Sequence, residues 1–110
     1  MTGVLSAIIL THNSQNSLEQ TLKSLTWCDE VLVVDDESSD DTVSIAKKAG
    51  ATVYVHKSDD DFAAQRNWAL GKAKGEWILF VDSDEVITPE LASEIQRVDK
   101  NVQGYYIKRK

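Results

Sequence analysis

Short apolar runs rich in branched side chains alternate with amphipathic segments along the whole chain. That order does not suit folds that keep strands and helices apart. VLSAIIL (4–10), EVLVVD (30–35), ATVYVH (51–56), EWILFVD (76–82) and GYYIKR (104–109) read as strands. Between them, residues 15–26 carry Leu18, Leu22 and Leu25 at helical spacing, and residues 40–50 place Val43, Ala46 and Ala49 on one face. Residues 61–74 form a third helix. A fourth opens at Thr88-Pro89, a hydroxyl cap followed by proline where no donor is needed, with Leu91, Ile95 and Val98 on one face. Ser38, Ser39 or Asp40 is expected to cap the second helix. Gly50 and Gly75 are expected to end the second and third as left-handed caps, after lysines that suit the helix dipole. The order β-α-β-α-β-α-β-α-β predicts an α/β/α sandwich on a mostly parallel sheet with right-handed crossovers.

A chain of 110 residues fits one domain, taken here as 1–110, and buries enough surface for one core. Twelve Lys and Arg against eighteen Asp and Glu give a net charge of −6, which argues against nucleic acid as a partner. A small anionic ligand stays compatible, because a bound metal ion inverts the local charge. The lone Cys28 excludes an intrachain disulfide and a cysteine metal cluster, and beside Trp27 it reads as a small core residue. The segment MTGVLSAIIL shows neither a basic n-region nor a long apolar stretch, so the expected location is cytoplasmic.

In a parallel sheet, ligands bind beyond the carboxyl ends of the strands. Three polar clusters fall there: THNSQN (11–16), DDESSDD (35–41) and DSDE (82–85). Each has a plain reading, as a turn and cap, a solvated loop at a helix start, or a polar turn. Together on one rim they point to a ligand. Asp82 and Asp84 straddle a strand end and can aim at one point, where two carboxylates repel unless a cation sits between them or one is protonated. Mg²⁺ or Mn²⁺ suits oxygen ligands and leaves positions for water or phosphate oxygens. The pattern therefore suggests a nucleotide diphosphate, although the chain has neither a P-loop nor a Rossmann glycine fingerprint.

The strings AIILTHN, EVLVVDDESSDDT, AAQRNWALGKAKGEWILFVDSDE and TPEL resemble the N-terminal half of family 2 glycosyltransferases, in order and spacing over nearly the whole chain. The closest flavour is that of bacterial lipopolysaccharide-core and surface-glycan enzymes. The resemblance implies a Rossmann-like GT-A fold and transfer of a sugar from a nucleotide-sugar donor, commonly a UDP-sugar, to a glycan or glycolipid acceptor. It implies Asp84 as the main metal ligand, with Asp82 helping directly or through water and the ribose. It assigns the base to Asp36, supported by Asp35, and base contacts or stacking to Thr11, His12 and Asn13. Arg66 matches a position near the donor, with a surface salt bridge as its plainer role. Glu85 is expected in the metal shell, and His56 is expected to be structural.

Departures matter. Glu37 stands where many members have glycine, and His12 where a tyrosine is common. Family members run to more than twice this length, and their second half supplies the acceptor site and the general base. The sequence shows no credible general base of its own. The expectation is therefore a truncated donor-binding half, with peripheral membrane association belonging to the full enzyme. A free final strand edge would be covered by dimerisation or strand exchange. The alternative is a truncated or designed non-catalytic α/β domain with at most a vestigial site. A phospho-acceptor receiver domain ranks below both, because the acids here follow the second and fourth strands.

Overall fold

The computed structural model describes residues 3–97 and the short strand 107–109. Its elements run β1 (Leu5–Thr11), α1 (Leu18–Lys23), β2 (Glu30–Asp35), α2 (Thr42–Lys48), β3 (Thr52–Val55), α3 (Phe62–Lys72), β4 (Trp77–Asp82), α4 (Pro89–Gln96) and β5 (Ile107–Arg109). The expected α/β sandwich is what forms. The sheet order is β3-β2-β1-β4-β5, with the first four strands parallel and β5 antiparallel to β4. Residues 104–106 of the expected fifth strand, and Val98 of the last helix face, lie outside the described residues. Among the described residues no helix is long and apolar enough to cross a membrane.

The strands β1, β2 and β4 are apolar on both faces over most of their length because both faces are covered. Alternate residues of β1 point to opposite sides, as a two-residue period requires. Ala7 and Ile9 join Leu18, Leu22 and Leu25 of the α1 region, Ala46 of α2, and Ala92 and Ile95 of α4. Ile8 joins Leu32, Val34 and Ile78 under Ala69 of α3 and Ala73 just after it. Among the described residues, three helices thus cover one face and α3 covers the other. Each fully buried Leu or Ile contributes about 1.5–3 kcal/mol of transfer free energy.

Several local expectations are corrected. The helix read over 15–26 is a helix only from Leu18 to Lys23, with turns on either side. The buried residues of α2 are Thr42 and Ala46, with Ile45 packed on the same core, while Ala49 is exposed. The residue before α2 is Asp41, whose side chain makes no capping bond; Asp40 instead accepts from the Thr42 N–H at 3.0 Å. Thr88 and Pro89 do open α4 as expected, with the Thr88 hydroxyl accepting from the Leu91 N–H at 3.1 Å. Gly50 is left-handed at φ +86. Gly75 is not: α3 ends at an extended Ala73, and Gly75 is a close approach, its N–H donating to Ser6 Oγ at 2.8 Å. A Cβ there would stand 2.8 Å from both Ser6 N and Val4 O.

The chain steps outward from β1 to β2 to β3, then returns to place β4 on the other side of β1. The strand order reverses at β1, which is where ligands bind in open α/β sheets. The register aligns Thr11 with Asp35 and Leu10 with Asp82. All three polar clusters therefore emerge from one rim.

Candidate functional site

Asp35 and Asp36 end β2 facing opposite ways, and the structure gives them different work. Asp35 is fully buried. Its Oδ1 accepts from the Thr11 hydroxyl at 2.7 Å and the Ser38 hydroxyl at 2.6 Å, and its Oδ2 accepts from the Ser38 N–H at 2.8 Å. Three donors compensate the buried acid, so it needs no cation. Asp35 braces the loop after β2 from inside, and the Thr11 hydroxyl is turned inward to it.

Asp36 lies on the α3 side. Its N–H donates to Thr11 O at 2.8 Å, and its two carboxylate oxygens accept from Ser58, at 2.9 Å from the N–H and 2.6 Å from the hydroxyl. The Ser58 hydroxyl and N–H hold the Asp36 carboxyl below its ordinary pKa, with lesser help from His12 and Lys57. The Asp36 carbonyl lies 2.7 Å from His12 Nδ1. A carbonyl only accepts, so that nitrogen carries the proton, while Nε2 lies 3.4 Å from the Asn13 side-chain nitrogen. A cleft of about 100 Å³ opens here, lined by Leu10, Thr11, His12, Asp36, Ser58, Phe62 and Gln65. Phe62 is 68% exposed at the first turn of α3.

The loops after β1 and β2 are zipped together. The Asn13 N–H donates to Ser38 Oγ at 2.7 Å, and Asn13 Oδ1 accepts from the Ser39 N–H at 2.8 Å. The Ser14 N–H donates to Thr42 Oγ1 at 2.8 Å, and the Gln15 N–H to Asp40 at 3.2 Å. Asn13 sits at φ +49, a conformation its residue type tolerates. Its side-chain oxygen serves the loop. Glu37 also sits at φ +49, so the position where glycine is common keeps the left-handed backbone that glycine favours.

At the third strand end, residues 82–85 form a tight turn. The Glu85 N–H donates to Asp82 O at 3.0 Å, and Glu85 Oε1 accepts from the Asp82 N–H at 3.3 Å. Glu85, expected in the metal shell, turns one oxygen back onto the turn. Asp82 and Asp84 are both exposed. The Arg66 guanidinium lies over the Phe80 ring, 4.5 Å from its centroid, two residues before Asp82 on the same sheet face. His56 is stacked on Trp68 with centroids 3.9 Å apart, and its Nδ1 lies 2.8 Å from Gln65 Oε1, in keeping with a structural role. Cys28 packs against the core, and burial followed by the nearby Asp29 pushes its thiol up to about 12.

Sequence reasoning passed over Ser58, Phe62, Ser17 and Thr21. Ser58 follows the expected third strand in a stretch read only as a loop. Ser17 and Thr21 sit among the leucines of the first helix, and their hydroxyls reach the Ser83 carbonyl at 2.9 and 3.0 Å. The usable signal was polar residues four apart on the face that must be buried. A larger groove, about 620 Å³ between α1 and α4, includes none of the expected site residues.

A model of the family described as Glycosyl transferase family 2 matches residues 6–109. The chain belongs to glycosyl transferase family 2. A relative from Rickettsia conorii, an uncharacterized glycosyltransferase, is 37% identical over 99 residues, covering 89% of this chain and 35% of its own. The chain thus spans about a third of the length of that relative. The crystal structure of Staphylococcus aureus TarS, residues 1–349, matches with a TM-score of 0.74 at 35% identity, covering 84% of this chain and 31% of that one. Mycobacterium tuberculosis glucosyl-3-phosphoglycerate synthase, in complex with Mn²⁺, UDP and glucosyl-3-phosphoglycerate, shares the fold with a TM-score of 0.66 at 21% identity, over 89% of this chain and 41% of that one.

Proposed function

We propose that this chain binds the nucleotide-sugar donor of a glycosyl transfer, with the base between His12 and Asp36 and the diphosphate at Asp82 and Asp84. The observation that carries the reading is the register. Thr11 beside Asp35 and Leu10 beside Asp82 put the two acidic strand ends on either side of β1. They lie two strand spacings, or roughly 10 Å, apart. An extended nucleoside diphosphate suits that span.

The base corner offers complementary groups. The Asp36 carboxylate accepts, His12 presents its ring, and exposed Phe62 adds a flat apolar face. Thr11, Asn13 and Asp35 hold this corner in shape from behind. Arg66, ordered over Phe80, supplies positive charge on the side of Asp82.

Among the described residues no three His, Cys, Asp or Glu side chains converge as a self-sufficient metal site. Two exposed carboxylates still fit Mg²⁺ or Mn²⁺, which bind through one or two carboxylates and take their remaining ligands from water and phosphate. Asp84 with Asp82 would hold the ion, which when bound stabilises negative charge on a departing diphosphate. The UDP and Mn²⁺ in the mycobacterial synthase support this choice, and the name of TarS, a poly(ribitol-phosphate) β-N-acetylglucosaminyltransferase, supports the transfer of a sugar. The acceptor class we assign is a hydroxyl of a surface glycan or glycolipid, with the reaction on the cytoplasmic side.

Titration of the chain with UDP in the presence and absence of Mn²⁺ tests the reading. The expected result is metal-dependent binding that Asp84→Asn weakens by about tenfold or more. Equal binding of nucleotide and metal by parent and Asp84→Asn would falsify the assignment of Asp84.

A further inference from the structure

Helix α1 presents three hydroxyls towards the segment after β4. Ser17 Oγ and Thr21 Oγ1 donate to the same acceptor, the Ser83 carbonyl, at 2.9 and 3.0 Å. One turn on, Ser24 Oγ accepts from the Ile87 N–H at 3.0 Å while donating to Thr21 O at 2.7 Å. The hydroxyls of Ser17 and Thr21 are diverted from their usual local bonds. Ser17 stands at the helix N-cap, where a serine ordinarily accepts from the first-turn amides, yet it makes no capping bond. A mid-helix threonine commonly donates to the carbonyl four residues back. Thr21 lies 3.4 Å from Ser17 O, longer than its contact with Ser83.

Ser83 is the residue between Asp82 and Asp84. A carbonyl has two lone pairs, and here both have a donor. The peptide is trans, so with its oxygen drawn to α1, the N–H of Asp84 points away from that helix. Thr21 is fully buried, whereas Asp82 and Asp84 on either side of the gripped carbonyl are exposed. The turn is thus fixed through its backbone from behind, while its carboxylates face solvent.

We infer that Ser17 and Thr21 are positioning residues for the divalent-cation corner, setting the peptide between the two aspartates so that both carboxylates meet one ion. This rests on the metal reading of Asp84 and Asp82 proposed above. Without the two donors, the turn samples orientations in which the carboxylates diverge, and cation affinity falls while the base corner is untouched.

The test measures free Mn²⁺ by electron paramagnetic resonance with UDP present, UDP binding in EDTA, and urea unfolding. It compares the parent chain with Thr21→Val, Thr21→Ser, Ser17→Ala, the Ser17→Ala/Thr21→Val pair and Asp84→Asn. The paired variant is expected to bind Mn²⁺ about tenfold more weakly, as losses of groups that orient metal ligands do. UDP binding in EDTA should change by less than about twofold, and Thr21→Ser, which keeps the donor, should match the parent. If the parent and Asp84→Asn differ but the paired variant holds Mn²⁺ like the parent, the positioning role is overturned and the metal reading stands. If the parent takes up no Mn²⁺, or Asp84→Asn takes it up equally, both are overturned. Should the pair not fold, Ser17→Ala alone decides. It removes one of the two donors, and unchanged Mn²⁺ affinity in that folded variant counts against the proposal.

Discussion

Ser58 binds both carboxylate oxygens of Asp36, one with its N–H and one with its hydroxyl, joining the loop before α3 to the end of β2. These bonds favour the ionised acid, so the folded pKa of Asp36 lies below its unfolded value. The resulting stabilisation is complete above the unfolded value, near pH 4, and is lost as pH falls through the folded one. Ser58→Ala should raise the titration midpoint of Asp36 towards the ordinary value and flatten the acid limb of the stability curve. Carboxyl carbon NMR across the acid range reads the midpoint directly. An unmoved midpoint would mean that the Ser58 hydroxyl is not the cause.

Gly75 is required by space. A Cβ would meet the backbone of Ser6 and Val4, neither the flexible end of a side chain. Gly75→Ala should therefore destabilise the chain by about 1–3 kcal/mol through overpacking. Urea unfolding measures it, and a loss below about 0.5 kcal/mol would show that β1 and β4 can part at little cost.

Glu37 gives the opposite sign. Its left-handed backbone costs a non-glycine residue roughly 1–2 kcal/mol. Glycine removes that cost but adds unfolded-chain entropy worth about 0.5–1 kcal/mol. Glu37→Gly should stabilise the fold by up to about 1 kcal/mol, read as a higher urea midpoint at unchanged slope. A lower midpoint would show that the Glu37 side chain contributes more than its backbone costs.

Phe62 separates stability from binding. It is largely exposed, so Phe62→Ala should change stability by no more than about 0.5 kcal/mol. If it stacks on a base, its loss should weaken UDP binding by about 1–3 kcal/mol, the range for base stacking on aromatic side chains. Calorimetry at one salt concentration compares the two proteins. Equal affinity removes Phe62 from the site.

The strands were legible because a buried parallel strand is an uninterrupted apolar run. EVLVVD matches β2 residue for residue, and the other described strands begin or end within a residue or two of expectation. The common rim was legible too, since alternation of strand and helix implies it. The bonds between clusters were not. That Asp35 is sealed beneath Thr11 while Asp36 faces the cleft follows from strand alternation only once the covering of each face is known. Gly75 shows the same limit: a glycine after a lysine-rich helix end looks like a left-handed cap, and only the approach of β1 reveals otherwise. The hydroxyls of Ser17, Thr21 and Ser58 act across 66, 62 and 22 residues, separations that local pattern does not report.

The bond from His12 Nδ1 to the Asp36 carbonyl makes the two walls of the cleft a linked pair. A tyrosine at position 12 would offer a broader ring but no donor at that point, so the Asp36 loop would lose a tether as the stacking surface grew. Retuning the choice of base is therefore a two-variable problem. Substitutions at 12 and 36 should be non-additive by about 0.5–3 kcal/mol, as contacting residues are. Libraries that vary the two positions together should find solutions that serial single substitutions miss.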